Sequence, residues 1–306
     1  MAHQTFLVRV NMSSHAPNFY LGCPVWACDK WKGSLFTTTA PRASWLEQYA
    51  SVFNTVEGNS TFYALPSLDT ANRWADSVPA GFRFALKFPQ TISHMKRLLN
   101  AGNDTGDFLR VLQVLKEAGC LGPSFLQLPH GFSPHHLDDL AAYLRELPRE
   151  FPYAVEVRHR EFFDEAKHEA ALDDLLTELH IDRVIFDSRA LFSAPLSDPF
   201  EVESQHRKPN LPVHQSITWR HPLLRFVGRN ELERNVPWIH EWSLKIAGWI
   251  KAGLHPLVFT HCPDERFAPQ FARMFHDELH RHVNVAALPP WPGESEPHPP
   301  KQMELF

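Results

Sequence analysis

The chain reads as an α/β protein: a single (β/α)8 barrel of the TIM type, with a long crossover after strand six and a proline-rich C-terminal tail. Three observations predict this. Apolar, β-rich runs alternate with segments of helical period. Eight such strand–helix units fall within about 250 residues, the arithmetic of a closed parallel barrel. Charged or polar residues close nearly every apolar run, at the end where such barrels carry their chemistry. An open doubly wound sheet is the rival, but no G-x-G-x-x-G or Walker-type lysine loop is present. The predicted division is a barrel domain over residues 1–287 and a flexible tail over 288–306.

The strands are expected at residues 18–26, 53–59, 83–89, 124–129, 153–159, 183–188, 223–230 and 256–261. Between them run apolar stripes at i, i+3, i+4, i+7 spacing, as in Phe108, Val111, Leu112 and Leu115. Leu137, Leu140, Ala141 and Leu144 repeat the pattern, as do Leu172, Leu175, Leu176 and Leu179. Ile239, Trp242, Ile246 and Trp249 continue it, and Phe267, Phe271, Met274 and Phe275 give the last stripe. Ser133-Pro134 and Asp198-Pro199 each pair an N-cap with proline at the first helical position. Gly119, Gly122 and Gly253 stand where helices should stop. The sixth crossover, 189–222, is long enough for a rim or lid; it holds a short helix near 199–207 and an extended stretch over 209–219. Six prolines between Pro289 and Pro300 leave the last segment without the means to pack a core.

Composition excludes several classes. Of the 306 residues 43% are hydrophobic and 21% charged, ordinary for a soluble protein. The net charge of −5 argues against a basic nucleic-acid coat. Phe6-Leu7-Val8 is cut short by Arg9, too brief for a leader, and no run approaches the ~18 apolar residues of a membrane span, so a cytoplasmic protein is expected. Cys23 and Cys28 are five apart, which fits neither a zinc knuckle nor a redox pair. His276 and His280 share a helix face with Asp277 and Glu278 nearby, and a solvated face is expected there rather than a metal pair.

The strand ends carry Glu57 and Asn59, Lys87, Gln127, Glu156 and Arg158, Asp187, Arg225 and Arg229, then His261. Residues i and i+2 of a strand share a face. Phe84, Leu86 and Phe88 therefore point outward and leave Ala85 and Lys87 inside, while Tyr153, Val155 and Val157 leave Ala154, Glu156 and Arg158 inside. The catalytic candidates are Glu57, Lys87, Glu156 and Asp187. Asn59, Tyr63, His94, Gln127, Arg158, Arg225, Arg229 and His261 are the candidates for holding substrate. Beside Arg158 and Lys87, Glu156 should stay ionised and abstract a proton or stabilise a cation. Next to neutral Asn59, Glu57 is the better candidate for a protonated general acid. Lys87 suits an oxyanion, or a Schiff base if desolvated. Arg225 and Arg229 lie where such barrels grip phosphate. A closed salt-bridge network is the bland alternative for Glu156 and Arg158. A divalent metal on Glu57, Glu156, Asp187, His94 and His261 is disfavoured by the cations among them, and no cofactor is expected.

The motifs Val56-Glu57-Gly58-Asn59-Ser60-Thr61-Phe62-Tyr63-Ala64-Leu65-Pro66, residues 82–89 with Ile92-Ser93-His94, Gln127-Leu128-Pro129, residues 154–159, Asp187-Ser188-Arg189, residues 225–228 and Pro263-Asp264 occur in this order. Together they resemble the YecE-like family, domain of unknown function 72, over roughly residues 18–285. The resemblance implies a TIM-barrel fold with a polar pocket at the strand C-termini and no established activity. The terminal Gln302-Met303-Glu304-Leu305-Phe306 is similar to the Q-x-x-L-F peptide by which bacterial proteins dock on the DNA sliding clamp, with Gln302, Leu305 and Phe306 as anchors.

Three functions fit. One is an enzyme doing acid–base chemistry (hydrolysis, isomerisation or lyase action) on a small sugar-like or phosphorylated substrate. Another is a DNA-maintenance factor recruited by the clamp peptide, with Arg207-Lys208 and 225–234 as its basic strip. The last is a ligand-holding sensor without turnover.

Overall fold

A computed structural model describes residues 18–296 except 165, 194 and 196. The expected clamp anchors Gln302, Leu305 and Phe306 lie outside the described residues. In chain order the elements are β1 (Tyr20–Gly22), α1 (Trp45–Ala50), β2 (Thr55–Gly58), α2 (Ser60–Tyr63), α3 (Leu68–Asp76), β3 (Arg83–Leu86), α4 (Gly102–Glu117) and β4 (Ser124–Gln127). Then follow α5 (Leu137–Glu146), β5 (Tyr153–Glu156), α6 (Lys167–Leu179), β6 (Asp182–Asp187), α7 (Arg189–Phe192), α8 (Pro199–Arg207), β7 (Leu223–Val227), α9 (Val236–Lys251), β8 (Leu257–His261) and α10 (Ala268–His280). The helical stripes bury as their period requires: Leu172, Leu175, Leu176 and Leu179 are the buried residues of α6. Asp198 caps α8, accepting the backbone N–H groups of Phe200 and Glu201. Gly119 and Gly253 have the positive φ of helix stops, whereas Gly122 instead lays its N–H on the Phe84 carbonyl.

All strand pairs are parallel, but the closed eight-stranded sheet is not what the hydrogen bonding gives. A six-stranded ladder runs β1-β8-β7-β6-β5-β4, and β2-β3 forms a separate pair. β3 meets β4 through isolated bridges at Phe84–Leu121 and Lys87–Phe125. Between β1 and β2 no ladder forms; one backbone bond, from the Glu57 N–H to the Cys23 carbonyl, is supplemented by side chains. Asn54 accepts from the Leu21 N–H and donates to the Phe19 carbonyl; Tyr49 Oη accepts from the Cys23 N–H and donates to the Thr55 carbonyl. These bonds satisfy backbone groups that a strand neighbour would otherwise pair. The two backbones come so close that a Cβ on Gly22 would lie 2.0 Å from the Thr55 carbonyl oxygen.

Inward side chains form one apolar layer beneath the strand ends: Tyr20, Ala85, Phe125, Ala154, Val184, Leu223, Leu257 and Phe259. A larger apolar core fills the space between strands and helices. No helix among the described residues is long and apolar enough to cross a membrane.

The tail departs from expectation. Trp291 is buried, its ring under the Arg273 guanidinium at 3.5 Å. Glu296 accepts from the Thr38 hydroxyl at 2.7 Å, and a Cβ on Gly293 would strike the Phe36 carbonyl. Residues 288–296 therefore pack on the domain, because one large aromatic side chain offsets a proline-rich composition. The histidine face of α10 is solvated only in part: His280 is exposed, but His276 is buried with Nε2 on the Ala286 carbonyl.

Candidate functional site

β2, β4, β5, β7 and β8 deliver Glu57, Gln127, Glu156, Arg225 and His261 to one buried cluster, and Lys87 joins it from the position directly after β3. The parity read for β3 and β5 holds, since Ala85 and Ala154 lie in the inner layer two residues before Lys87 and Glu156. Arg225 is the hub. Its Nε and Nη2 donate to the two oxygens of Glu57, both at 2.8 Å, and its Nη1 donates to Glu156 Oε2 at 2.6 Å. Arg158 Nε closes the chain on Glu156 Oε1 at 2.7 Å. Gln127 Oε1 accepts from Lys87 Nζ and from Arg158 Nη2, both at 2.9 Å. His261 Nε2 lies 3.1 Å from Glu57 Oε2, and Asn59 Nδ2 donates to Glu57 Oε1 at 2.6 Å. Aromatic faces wall these cations: Arg225 lies over Phe125 and Phe186, Arg158 over Phe186, and Lys87 stands 3.9 Å from the centre of the Phe62 ring.

Protonation follows from this wiring. Burial alone would raise the Glu57 carboxyl, but Arg225 and His261 hold it well below the usual carboxylate range. The expected protonated acid at Glu57 is thus overturned: its partner is a bidentate guanidinium, not Asn59 alone. Burial is likewise overridden at Glu156 by Arg225, Arg158 and Lys87, which bring it to about 2. A carboxylate so stabilised is a poor base, which removes the proton-abstracting role expected of Glu156. Burial pushes His261 down to about 4, and it remains neutral beside Glu57. Lys87 is different. Burial, helped by Arg225 and opposed by Glu156, lowers its ammonium to about 7.

His94 reaches the same edge from the segment after β3. Its ring meets Phe62 edge-on at 5.0 Å, and burial together with Lys87 lowers it to about 4. Tyr63 stays on the rim, 74% exposed, with its ring against Phe62. Two expected members lie elsewhere. Asp187 points to the helix side of β6, binding Arg189 and accepting the Trp242 indole N–H at 2.7 Å. Val184 is the inward residue of β6, so parity sends Phe186, not Asp187, inside. Arg229 pairs with Glu201 of α8 and Glu231, leaving Arg225 without a phosphate-gripping neighbour from β7. The basic strip expected at 225–234 is also absent as such, since Arg225 is buried and Arg229 and Arg234 are paired.

Two groups escaped sequence reasoning as members of the site. Lys208, half-buried at the end of α8, interacts with Arg225, Glu265, Glu57 and Arg158; burial and Arg225 lower it to about 8. Glu265, on the turn after β8, is raised by burial to about 7, with Glu57 adding and Lys208 opposing. Its Oε2 is buried without a hydrogen-bond partner. Both lie in connections, where strand parity gives no signal.

The four residues Glu57, Arg225, Glu156 and Arg158 balance two negative against two positive charges and satisfy one another. Lys87 and Lys208, with Glu265 between charge states, are the groups left for a ligand. Such an arrangement can hold an anion and exchange protons near neutrality.

Comparison with known proteins agrees with this architecture. The chain is 37% identical over 277 residues to the UPF0759 protein YecE of Escherichia coli K12, covering 90% of this chain and 98% of that protein. A DUF72 family protein of Enterococcus faecalis aligns with TM-score 0.64 at 19% identity, over 89% of this chain and 98% of its own. Another from Thermotoga maritima gives 0.63 at 20% identity, over 86% and 99%. The family model described as protein of unknown function DUF72 matches residues 20–296, and the chain belongs to that family.

Proposed function

We propose that the strand-end cluster is the active site of an enzyme performing acid–base chemistry on a small anionic substrate, sugar-like or phosphorylated, at the mouth of a TIM-type barrel. The observation that carries this reading is the contrast within one cluster: a self-neutralised Glu57–Arg225–Glu156–Arg158 frame, and beside it a Lys87 ammonium held near neutral pH. The frame is a fixed electrostatic scaffold that costs no reorganisation as charge develops. Lys87 stabilises an oxyanion or carries a proton; a pKa near the working pH serves the second role best. Glu265 is the second proton carrier, and Lys208 draws in the anionic group. Hydrolysis, isomerisation and lyase action all use such a pair.

The test is a thermal-shift screen of sugar phosphates and other phosphorylated metabolites against the whole chain, followed by crystal structures of the hits. Ligand contacting Lys87 Nζ, with the shift lost in Lys87→Met, supports the reading. A ligand bound away from the strand ends, or one whose shift survives Lys87→Met, overturns it. Turnover of such a ligand left unchanged by Lys87→Met and by Glu265→Gln would do the same.

A further inference from the structure

Away from the strand ends, three side chains on the outer helices converge. His240 of α9 has Nδ1 at 2.6 Å from Glu278 Oε1 of α10, and His282, just beyond α10, has Nε2 at 3.1 Å from the same oxygen. The three ligand-type atoms all lie within 4.8 Å of one another, and no other such group occurs among the described residues. From this juxtaposition we propose that His240, Glu278 and His282 form a binding site for a divalent transition-metal ion of the zinc class.

Four features support it. Two imidazoles and one carboxylate are the donor set of open tetrahedral zinc sites, with the fourth position left to water. Ligand atoms about 2.0–2.1 Å from a tetrahedral ion stand roughly 3.3 Å apart. The contacts at 2.6 and 3.1 Å therefore open by about 0.7 and about 0.2 Å as the ion replaces the shared hydrogen-bonding protons, and the two histidine nitrogens, within 4.8 Å of each other, settle to the same spacing. Access is graded: the His240 side chain is 55% exposed, whereas Glu278 is 17% and His282 22% exposed, so an ion can enter a partly shielded site. Finally, Glu278 lies in the last turn of α10, where the helix dipole favours a cation. The Arg281 guanidinium on Glu278 Oε2, at 2.8 Å, opposes the ion's charge but fixes the carboxylate with Oε1 turned to the histidines.

The residues come from two helices and a following turn, so the ion would act as a staple between α9 and the end of α10. The bland alternative is a surface hydrogen-bond cluster, and the two differ in a direct measurement. Titration of the whole, chelator-treated chain with Co2+ should give one equivalent with the visible bands of tetrahedral coordination, displaced by Zn2+. His240→Ala and His282→Ala should remove those bands and weaken Zn2+ binding by tenfold or more, while Zn2+ raises the melting temperature of the parent alone. Both histidines are accessible enough that the variants will fold. Absent bands, or bands and affinity unchanged in both variants, overturns the site.

Discussion

Replacing Lys87 by methionine should make the protein more stable at pH 6 and less able to bind an anion. Lys87 is 8% exposed, and its ammonium sits at about 7 instead of 10.5. A shift of that size corresponds to roughly 5 kcal/mol at about 1.36 kcal/mol per unit, an upper bound for holding the charged form in the fold. Methionine keeps the length and the contact with Phe62 but loses the bond to Gln127, about 1 kcal/mol. Gln127 Oε1 retains Arg158 at 2.9 Å, so no buried acceptor is orphaned. The net gain is about 1–4 kcal/mol. At roughly 2 °C per kcal/mol for a chain of this size, the melting temperature should rise by several degrees. The pH dependence has a definite sign. The lysine's folded pKa lies below its unfolded one, so the unfolded chain holds more protons between about 7 and 10.5. The penalty is complete below 7 and fades as pH rises through that window. Melting curves of parent and Lys87→Met at pH 6 and pH 10 should therefore show a gap that narrows at the higher pH. A variant less stable than the parent at pH 6, or a gap indifferent to pH, refutes the reasoning.

Glu57→Gln leaves Arg225 buried with one of its two carboxylate partners neutralised, and should cost about 3–5 kcal/mol, seen as a fall in the urea midpoint. Glu156, at about 2 in the fold, contributes stability above the ordinary carboxylate range, and this is lost as pH falls from about 4.5 to 2; Glu156→Gln should flatten that part of the acid-denaturation profile. Arg273→Ala removes the cation from the Trp291 ring and its pair with Glu294, and should hasten proteolytic removal of the segment after residue 288.

Much of the site was legible because β3 and β5 alternate cleanly: Phe84, Leu86 and Tyr153, Val155 are core, and Ala85, Lys87 and Ala154, Glu156 face inward. Alternation gives no such guide at β6, where Arg183, Val184, Ile185, Phe186 and Asp187 are all buried and no apolar–polar pattern marks which face is which. Glu57 joins the cluster with a charge state opposite to the one its neighbour Asn59 suggests, because its guanidinium partner Arg225 is 168 residues away in sequence. Lys208 and Glu265 sit in irregular connections whose path no local pattern encodes. Trp291 illustrates the opposite failure, in which composition foretold a loose end and one side chain docked it.

The side-chain seam between β1 and β2 bears on how the chain is made. β1 pairs in a ladder with β8, the last strand to be synthesised, while its other flank depends on Asn54, Tyr49 and one backbone bond at Cys23. A nascent chain lacking its final strand therefore carries an unpaired N-terminal edge throughout synthesis, and such long-range pairing is slow and exposed to misassembly.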